Sequence, residues 1–264
     1  MVLCHDCCNT PKGKDFEEVA GIFRVVFNAI LRGGGEEYVM PEVPPEPEQL
    51  PSSCDWTQTN SNAYLLSDGN QYFDTKVPIN SKNNISVTMQ VANGANARIF
   101  GTLNATCKYD MTLNQNSKLG VSMSTNGSTT YPLVDAQPNG KNTYSTQTAS
   151  TATTYTNKYI YVNGTKLSNI SKKVTNCTGT NTMLVLNNDY ITGVNPALSD
   201  GIKLYNIKLY NSSGTMIHNY QPVAAGTDIC GYTVPTNAMW DTVSKQVYLP
   251  AGTGQMGYGV DPAE

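Results

Sequence analysis

Gly69-Asn70-Gln71-Tyr72-Phe73-Asp74-Thr75, near one end of the chain, is answered by Met239-Trp240-Asp241-Thr242 and Gly252-Thr253-Gly254 near the other. Each phrase couples an aromatic residue to an Asp-Thr pair, the composition of a strand running into a turn closed by an Asx hydrogen bond. Together they set the first and last strands of one β-domain. Between them, short alternating runs are separated by Gly, Asn, Ser and Pro clusters, the pattern of an antiparallel all-β sandwich. Ile85-Ser86-Val87-Thr88-Met89-Gln90-Val91 alternates without a break, and Tyr159-Ile160-Tyr161-Val162 enters Asn163-Gly164, the signal for a type I′ hairpin. Met183-Leu184-Val185-Leu186 reads as a continuous apolar strand. From Ile202 to Tyr210 the apolar pair Ile202 and Leu204 is out of phase with Ile207 and Leu209. Either a bulge lies near Asn206 or both faces are covered. The polar stretch from Thr125 to Asn157 is expected to hold edge strands and long loops.

Composition narrows the functional classes. Charged residues make up only 14% of the chain, against a usual figure of about 25%, so amides and hydroxyls solubilise the surface. The net charge is −3, and no Lys/Arg cluster interleaves with aromatics, which argues against a nucleic-acid partner. The seven cysteines are an odd number and form no self-contained framework; most are expected to be reduced and buried. A head of roughly 200 residues buries enough surface to need no disulfide staple.

Outside the bracket, Asp15 and Glu18 form a capping box ahead of an apolar run that ends at Gly33-Gly34-Gly35, predicting a helix over about 15–32. Phe16, Val19, Phe23, Val26 and Ile30 share one seam, and Ile22 and Phe27 extend the apolar surface to other faces. Such a helix must be covered, by partners or by its own head. It is too short to span a bilayer, so no membrane insertion is expected. Residues 1–34 therefore read as an anchor, 35–53 as an extended Pro/Glu-rich linker and 54–264 as a displayed head. No secretory signal follows Met1, which implies synthesis in a host cytoplasm.

Gln71-Tyr72-Phe73-Asp74-Thr75, the long strand from Ile202 to Tyr210 with Asn211-Ser212-Ser213-Gly214, and the closing phrase from Met239 to Gly254 resemble the concanavalin A-like lectin/glucanase superfamily. Laminin-G-like jelly-roll modules of phage and gut-bacterial surface proteins are the nearest likeness, over about residues 54–258. The resemblance implies an antiparallel jelly-roll sandwich, with Tyr72, Asp74, Trp240 and Asp241 as fold markers. The arrangement of helical anchor, stiff tether and jelly-roll head is similar to head-fibre or capsid decoration proteins of tailed phages. It implies a homotrimer on the virion surface, seated on a capsid or other virion protein through the helix, with the head open to glycans. The alternatives are a free lectin-like carbohydrate-binding protein, a tail or receptor-binding appendage, and a glycan hydrolase.

Catalytic chemistry finds little support in the residues. Glycosidases of the concanavalin A-like fold use paired carboxylates, and no Glu stands between Glu48 and Glu264. Asp74 and Asp241 fit Asx turns better than acid/base roles. Of the two histidines, His218 alternates with apolar neighbours and reads as a strand-surface residue. Cys4-x-x-Cys7 with Cys8 is the one candidate metal cluster, but a single knuckle lacks its second pair, and plain thiols are the better reading. No cofactor is expected, and no ligand-binding residue is singled out.

Overall fold

The structure, a computed structural model, describes residues 45–91, 97–103, 108–113, 118–124, 134–135, 140–151, 154–176, 178–186 and 201–263. The helix expected over 15–32, with Phe16, Val19, Ile22, Phe23, Val26, Phe27 and Ile30, lies outside them, as do Cys4, Cys7 and Cys8. Among the described residues no helix is long and apolar enough to cross a membrane.

Strands are numbered along the chain. The larger sheet runs β1 (Glu48–Gln49), β18 (Gln246–Tyr248), β17 (Ala238–Asp241), β14 (Met216–Val223), β13 (Ile202–Tyr210), β4 (Asn84–Gln90), β9 (Lys141–Thr151), β10 (Tyr155–Val162), β11 (Thr165–Thr175). Strand β2 (Ala63–Ser67) also pairs with β13, and β20 (Gly257–Val260) pairs with β2. The smaller sheet runs β19 (Ala251–Gly252), β3 (Gln71–Asn80), β12 (Thr178–Val185), β5 (Ala97–Leu103), β6 (Lys108–Leu113), β7 (Lys118–Ser124), β8 (Val134–Asp135). A short hairpin joins β15 (Asp228–Ile229) to β16 (Tyr232–Thr233). All recorded pairings in the two sheets are antiparallel, as a jelly-roll sandwich requires.

Alternation builds the main core. Ile85, Val87 and Met89 of β4 and Ile207 and Leu209 of β13 face Phe73, Phe100, Met111 and Val185 of the smaller sheet, all in one buried cluster. The register of β13 on β4 shifts between Leu204 and Asn206, so the bulge, and not two covered faces, brings Ile202 and Leu204 into phase with Ile207 and Leu209. Tyr205 is the extra residue of the bulge, and Asn206 beside it ties β13 to β14 by donating Nδ2–H to Asn219 Oδ1 (3.0 Å) and to the Tyr220 carbonyl (2.9 Å). Asn163 (φ 52°) and Gly164 (φ 76°) are both left-handed, the conformation of a type I′ hairpin.

The two phrases at the ends of the domain meet in space. Ala251 pairs with Tyr72 and Gly252 with Gln71, and Gln71 Nε2–H donates to the Thr253 carbonyl at 2.7 Å. Gly252 has φ +97°, and a Cβ there would lie 2.1 Å from the Asn70 carbonyl oxygen. Only glycine allows this close approach of backbone to backbone.

Three expectations are corrected. First, β9 is an interior strand between β4 and β10, although it falls in the polar stretch assigned to edges and loops. Its buried positions are Asn142, Tyr144 and Thr146, and Thr146 Oγ1 lies 2.7 Å from the buried Tyr109 hydroxyl. Hydrogen bonds replace apolar contact there, so the strand shows no hydrophobic period. Second, Cys54 and Cys230, 176 residues apart, form a disulfide. It fastens a second, smaller core of Leu50, Val223, Ile229, Val234, Ala238, Trp240 and Val247 on the opposite side of the larger sheet. Trp56 covers this core edge-on to Trp240, and Trp240 Nε1–H donates to the Trp56 carbonyl at 3.0 Å. A patch built by a loop, a hairpin and the outer side of three strands has too little depth to rely on burial alone. Third, the last part of the Pro/Glu-rich segment belongs to the sheet: Glu48 pairs with Val247, Gln49 with Gln246, and Leu50 is buried.

One cation lies inside the sandwich. Lys158 of β10 is fully buried, and its ammonium donates to the Asn83 carbonyl (2.5 Å), Asn84 Oδ1 (2.8 Å) and Thr148 Oγ1 (3.1 Å). Three donors thus meet three oxygens. Burial pushes its pKa down to about 7.

Candidate ligand-binding surface

Cross-strand register lays out the solvent side of the larger sheet. Residues directly opposite one another on antiparallel neighbours share a face. Lys166 pairs with Tyr161, Tyr161 with Ser145, Ser145 with Ser86, Ser86 with Lys208, and Lys208 with Asn219. These six side chains form one row across β11, β10, β9, β4, β13 and β14. The row spans five strand spacings, about 24 Å. None of the six is buried: Lys166 is exposed and the rest are half-buried. A neighbouring row carries Thr143 opposite Thr88, their hydroxyls 2.9 Å apart, and Asn206. Half-buried Tyr159 and Tyr210 stand on the same side.

Lysines are held flat on this face by rings. Lys166 Nζ lies 3.1 Å from the centroid of Tyr159, Lys141 Nζ 4.4 Å from that of Tyr205, and Lys203 Nζ 4.4 Å from that of Tyr64. Toward β20, Lys203 pairs with Asp261 at 2.5 Å, and the Tyr205 hydroxyl donates to the other Asp261 oxygen. Burial, then the Asp261 carboxylate, push the Tyr205 phenol well above its ordinary range. The result is a rigid surface of tyrosine, amide, hydroxyl and ammonium groups.

The acids are placed differently. Asp241 is fully buried and accepts from Asn219 N–H (2.8 Å), Val243 N–H (3.1 Å), Ser244 Oγ–H (2.5 Å) and His218 Nδ1–H (2.6 Å). Burial pushes its carboxyl up, but the hydrogen bonds from His218, Asn219, Ser244 and Val243 outweigh it and hold the pKa below the usual aspartate range. His218 is therefore not a strand-surface residue: it lies opposite Leu209, stacks on Tyr220 at 5.5 Å, and turns to the buried carboxylate. The trio is no nucleophilic triad, because Ser244 and His218 both bond to Asp241 Oδ2 and a nucleophile must bond to its base. Asp241→Asn should cost about 2–3 kcal/mol in urea unfolding at pH 7, since it removes a charged acceptor from a buried network. Because the folded pKa is depressed, the stability Asp241 contributes is present above about pH 4 and lost as pH falls through the folded value, a loss the variant should not show.

Asp74 lies in β3, where Oδ1 accepts from Lys76 N–H (2.9 Å) and from the Thr182 hydroxyl (2.5 Å). Asp74 and Asp110 occupy one cross-strand row through Leu184 and Gly101, three spacings or about 14 Å apart. Among the described residues no group of three or more His, Cys, Asp or Glu could hold a metal. Of the expected markers, Tyr72 and Asp74 lie together in β3 and Trp240 and Asp241 in β17; none belongs to the outward rows. Sequence reading missed the surface itself. Its one linear signal is the absence of acids between Asp135 and Asp189.

No family model matches the sequence, and no curated protein matches it. Solved structures share its fold. A protein of Bacteroides ovatus ATCC 8483 proposed to bind carbohydrate superposes with a TM-score of 0.50 at 13% identity, over 76% of this chain. This chain spans 60% of that protein's length. The native heptameric SAP-like pentraxin of Limulus polyphemus gives 0.43 at 8% identity, over 76% of this chain and 95% of the other. Domains LG4-5 of the mouse laminin alpha1 chain give 0.39 at 10%, over 69% and 48%. The described residues thus form a mainly β, antiparallel jelly-roll sandwich, a fold like that of the Bacteroides ovatus protein.

Proposed function

We propose that residues 45–263 are a lectin-like, carbohydrate-binding head that performs no catalysis, and that its ligand lies on the outward rows of the larger sheet. The observation that carries this reading is the row of Tyr161, Ser145, Ser86 and Asn219 beside Tyr210. Aromatic faces cover the apolar side of a sugar ring while neighbouring hydroxyls and amides take its hydroxyl groups. The fold likeness to the Bacteroides ovatus protein supports the same reading. Tyr161→Ala should weaken binding to the best ligand of a glycan array about tenfold or more and leave the thermal midpoint nearly unchanged. A full chain that retains no glycan on such an array would sink the proposal.

A second reading places this head on a virion surface, carried by the helix and the tether expected ahead of Glu48. It is supported by the covalent lock at Cys54, directly after the tether, where a displayed head would need its attachment secured. A chain lacking residues 1–34 should then stay folded and bind glycan but fail to join particles, as judged by co-sedimentation with them. Incorporation of the truncated chain would remove the anchor.

A further inference from the structure

We infer that the glycan recognised by this face is an acidic polysaccharide, carrying carboxylate or sulfate groups; the inference rests on the glycan-binding reading above. The chain as a whole has a net charge of −3, yet strands β2, β4, β9, β10, β11, β13, β14 and β20 contain no Asp or Glu. On their outward face stand Lys141, Lys166, Lys203 and Lys208. Asp261 occupies Lys203, and among the described residues no carboxylate lies within ion-pair distance of the other three. The strands that carry this face thus bring it lysines and no carboxylate of their own, and Asp261, just past β20, stands beside it.

The spacing selects the kind of polyanion. Lys166 and Lys208 end a stretch of one row with Tyr161, Ser145 and Ser86 between them. Four strand spacings separate them, about 19 Å. A polymer lying across the strands meets a cation, a ring face, two hydroxyls and a second cation in turn. Nucleic acid carries a charge every few ångströms, about 1.7 Å of axis in duplex DNA, and would find most of its phosphates unmatched. A glycan whose acidic groups are separated by neutral rings and hydroxyls fits the whole row. Tyr159 holds the Lys166 ammonium at 3.1 Å from its ring, so part of the ordering cost of that side chain is met before binding.

The test uses the full chain against immobilised polygalacturonate, alginate, chondroitin sulfate and heparin, each beside a methyl-esterified, reduced or desulfated counterpart. The expected result is at least tenfold tighter binding to one or more acidic forms, falling as salt rises. The double variant Lys166→Gln/Lys208→Gln should lose that preference while keeping residual binding through Tyr161. Equal binding to both members of every pair, unchanged in the double variant, overturns the acidic ligand but leaves the glycan reading standing. No binding to any member, nor to neutral glycans on an array, overturns both. Equal or tighter, salt-sensitive binding to duplex DNA or to phosphatidylserine vesicles overturns the inference by making the face a general polyanion surface.

Discussion

Between pH 7 and about pH 9.5 the head should gain stability as the solution becomes more alkaline, by about 1.4 kcal/mol per pH unit, and Lys158→Met should abolish the gain. In the unfolded chain a lysine keeps its proton up to about pH 10.4, while in the fold burial lowers the Lys158 pKa to about 7. In that window the unfolded state binds more protons than the native state, so the unfolding free energy rises with pH. Below pH 7 both states are protonated, and the full cost of a buried ammonium is present. Its three oxygen partners limit that cost without removing it. Above about pH 10 the sign reverses. Burial raises the Tyr109 and Tyr220 phenols well above their ordinary range and pushes Tyr144 up to about 12, so the native state now holds protons that the unfolded state releases. Stability should peak at about pH 9–10. Urea unfolding across pH 6–10.5 measures it, and an identical slope in the Lys158→Met protein would assign the effect to another group.

Replacing both Cys54 and Cys230 by serine should cost about 5 kcal/mol and lower the thermal midpoint by about 10 °C or more. The bond closes a loop with a sequence separation of 176, so it removes more entropy from the unfolded chain than a short crosslink does. It also pins the segment from Leu50 to Trp56 onto the hairpin of Ile229 and Tyr232. Without it Trp56 should leave Trp240, and tryptophan emission should shift to the red before the main transition. A double variant with an unchanged midpoint and emission would show that the smaller core holds without its staple.

The parts of this fold that follow hydrophobic alternation were legible in the sequence. Ile85 to Gln90, the Asn163-Gly164 turn and the phase slip at Asn206 all carry their geometry in residue order. Strand β9 did not, because Asn142 and Thr146 fill inward positions that a periodicity argument reserves for apolar groups. The pairing of Cys54 with Cys230 has no local signature, since only the tertiary fold brings loop and hairpin together across a sequence separation of 176. The candidate surface was the least visible part. Ser86, Ser145, Tyr161 and Lys208 come from four strands, and only register aligns them. The aromatic-Asp-Thr phrases pointed to Asp74 and Asp241 but not to His218, which reaches Asp241 across a strand pair.

The staple at Cys54 also decides how the head responds to a pull from its N-terminal side. When the chain is pulled between its two ends, a load entering through the short strand at Glu48–Gln49 passes at Cys54 into Cys230, and the residues between them bear no tension while the bond is intact. Roughly 600 Å of slack, at about 3.4 Å per residue, is thereby kept out of the line of force. Strands β2 to β15, and with them the tyrosines and lysines of the outward face, lie within that sheltered length. Drawn out by its two ends, the chain keeps these strands out of the line of force, and reduction of one bond would turn a short stiff coupling into a long compliant one.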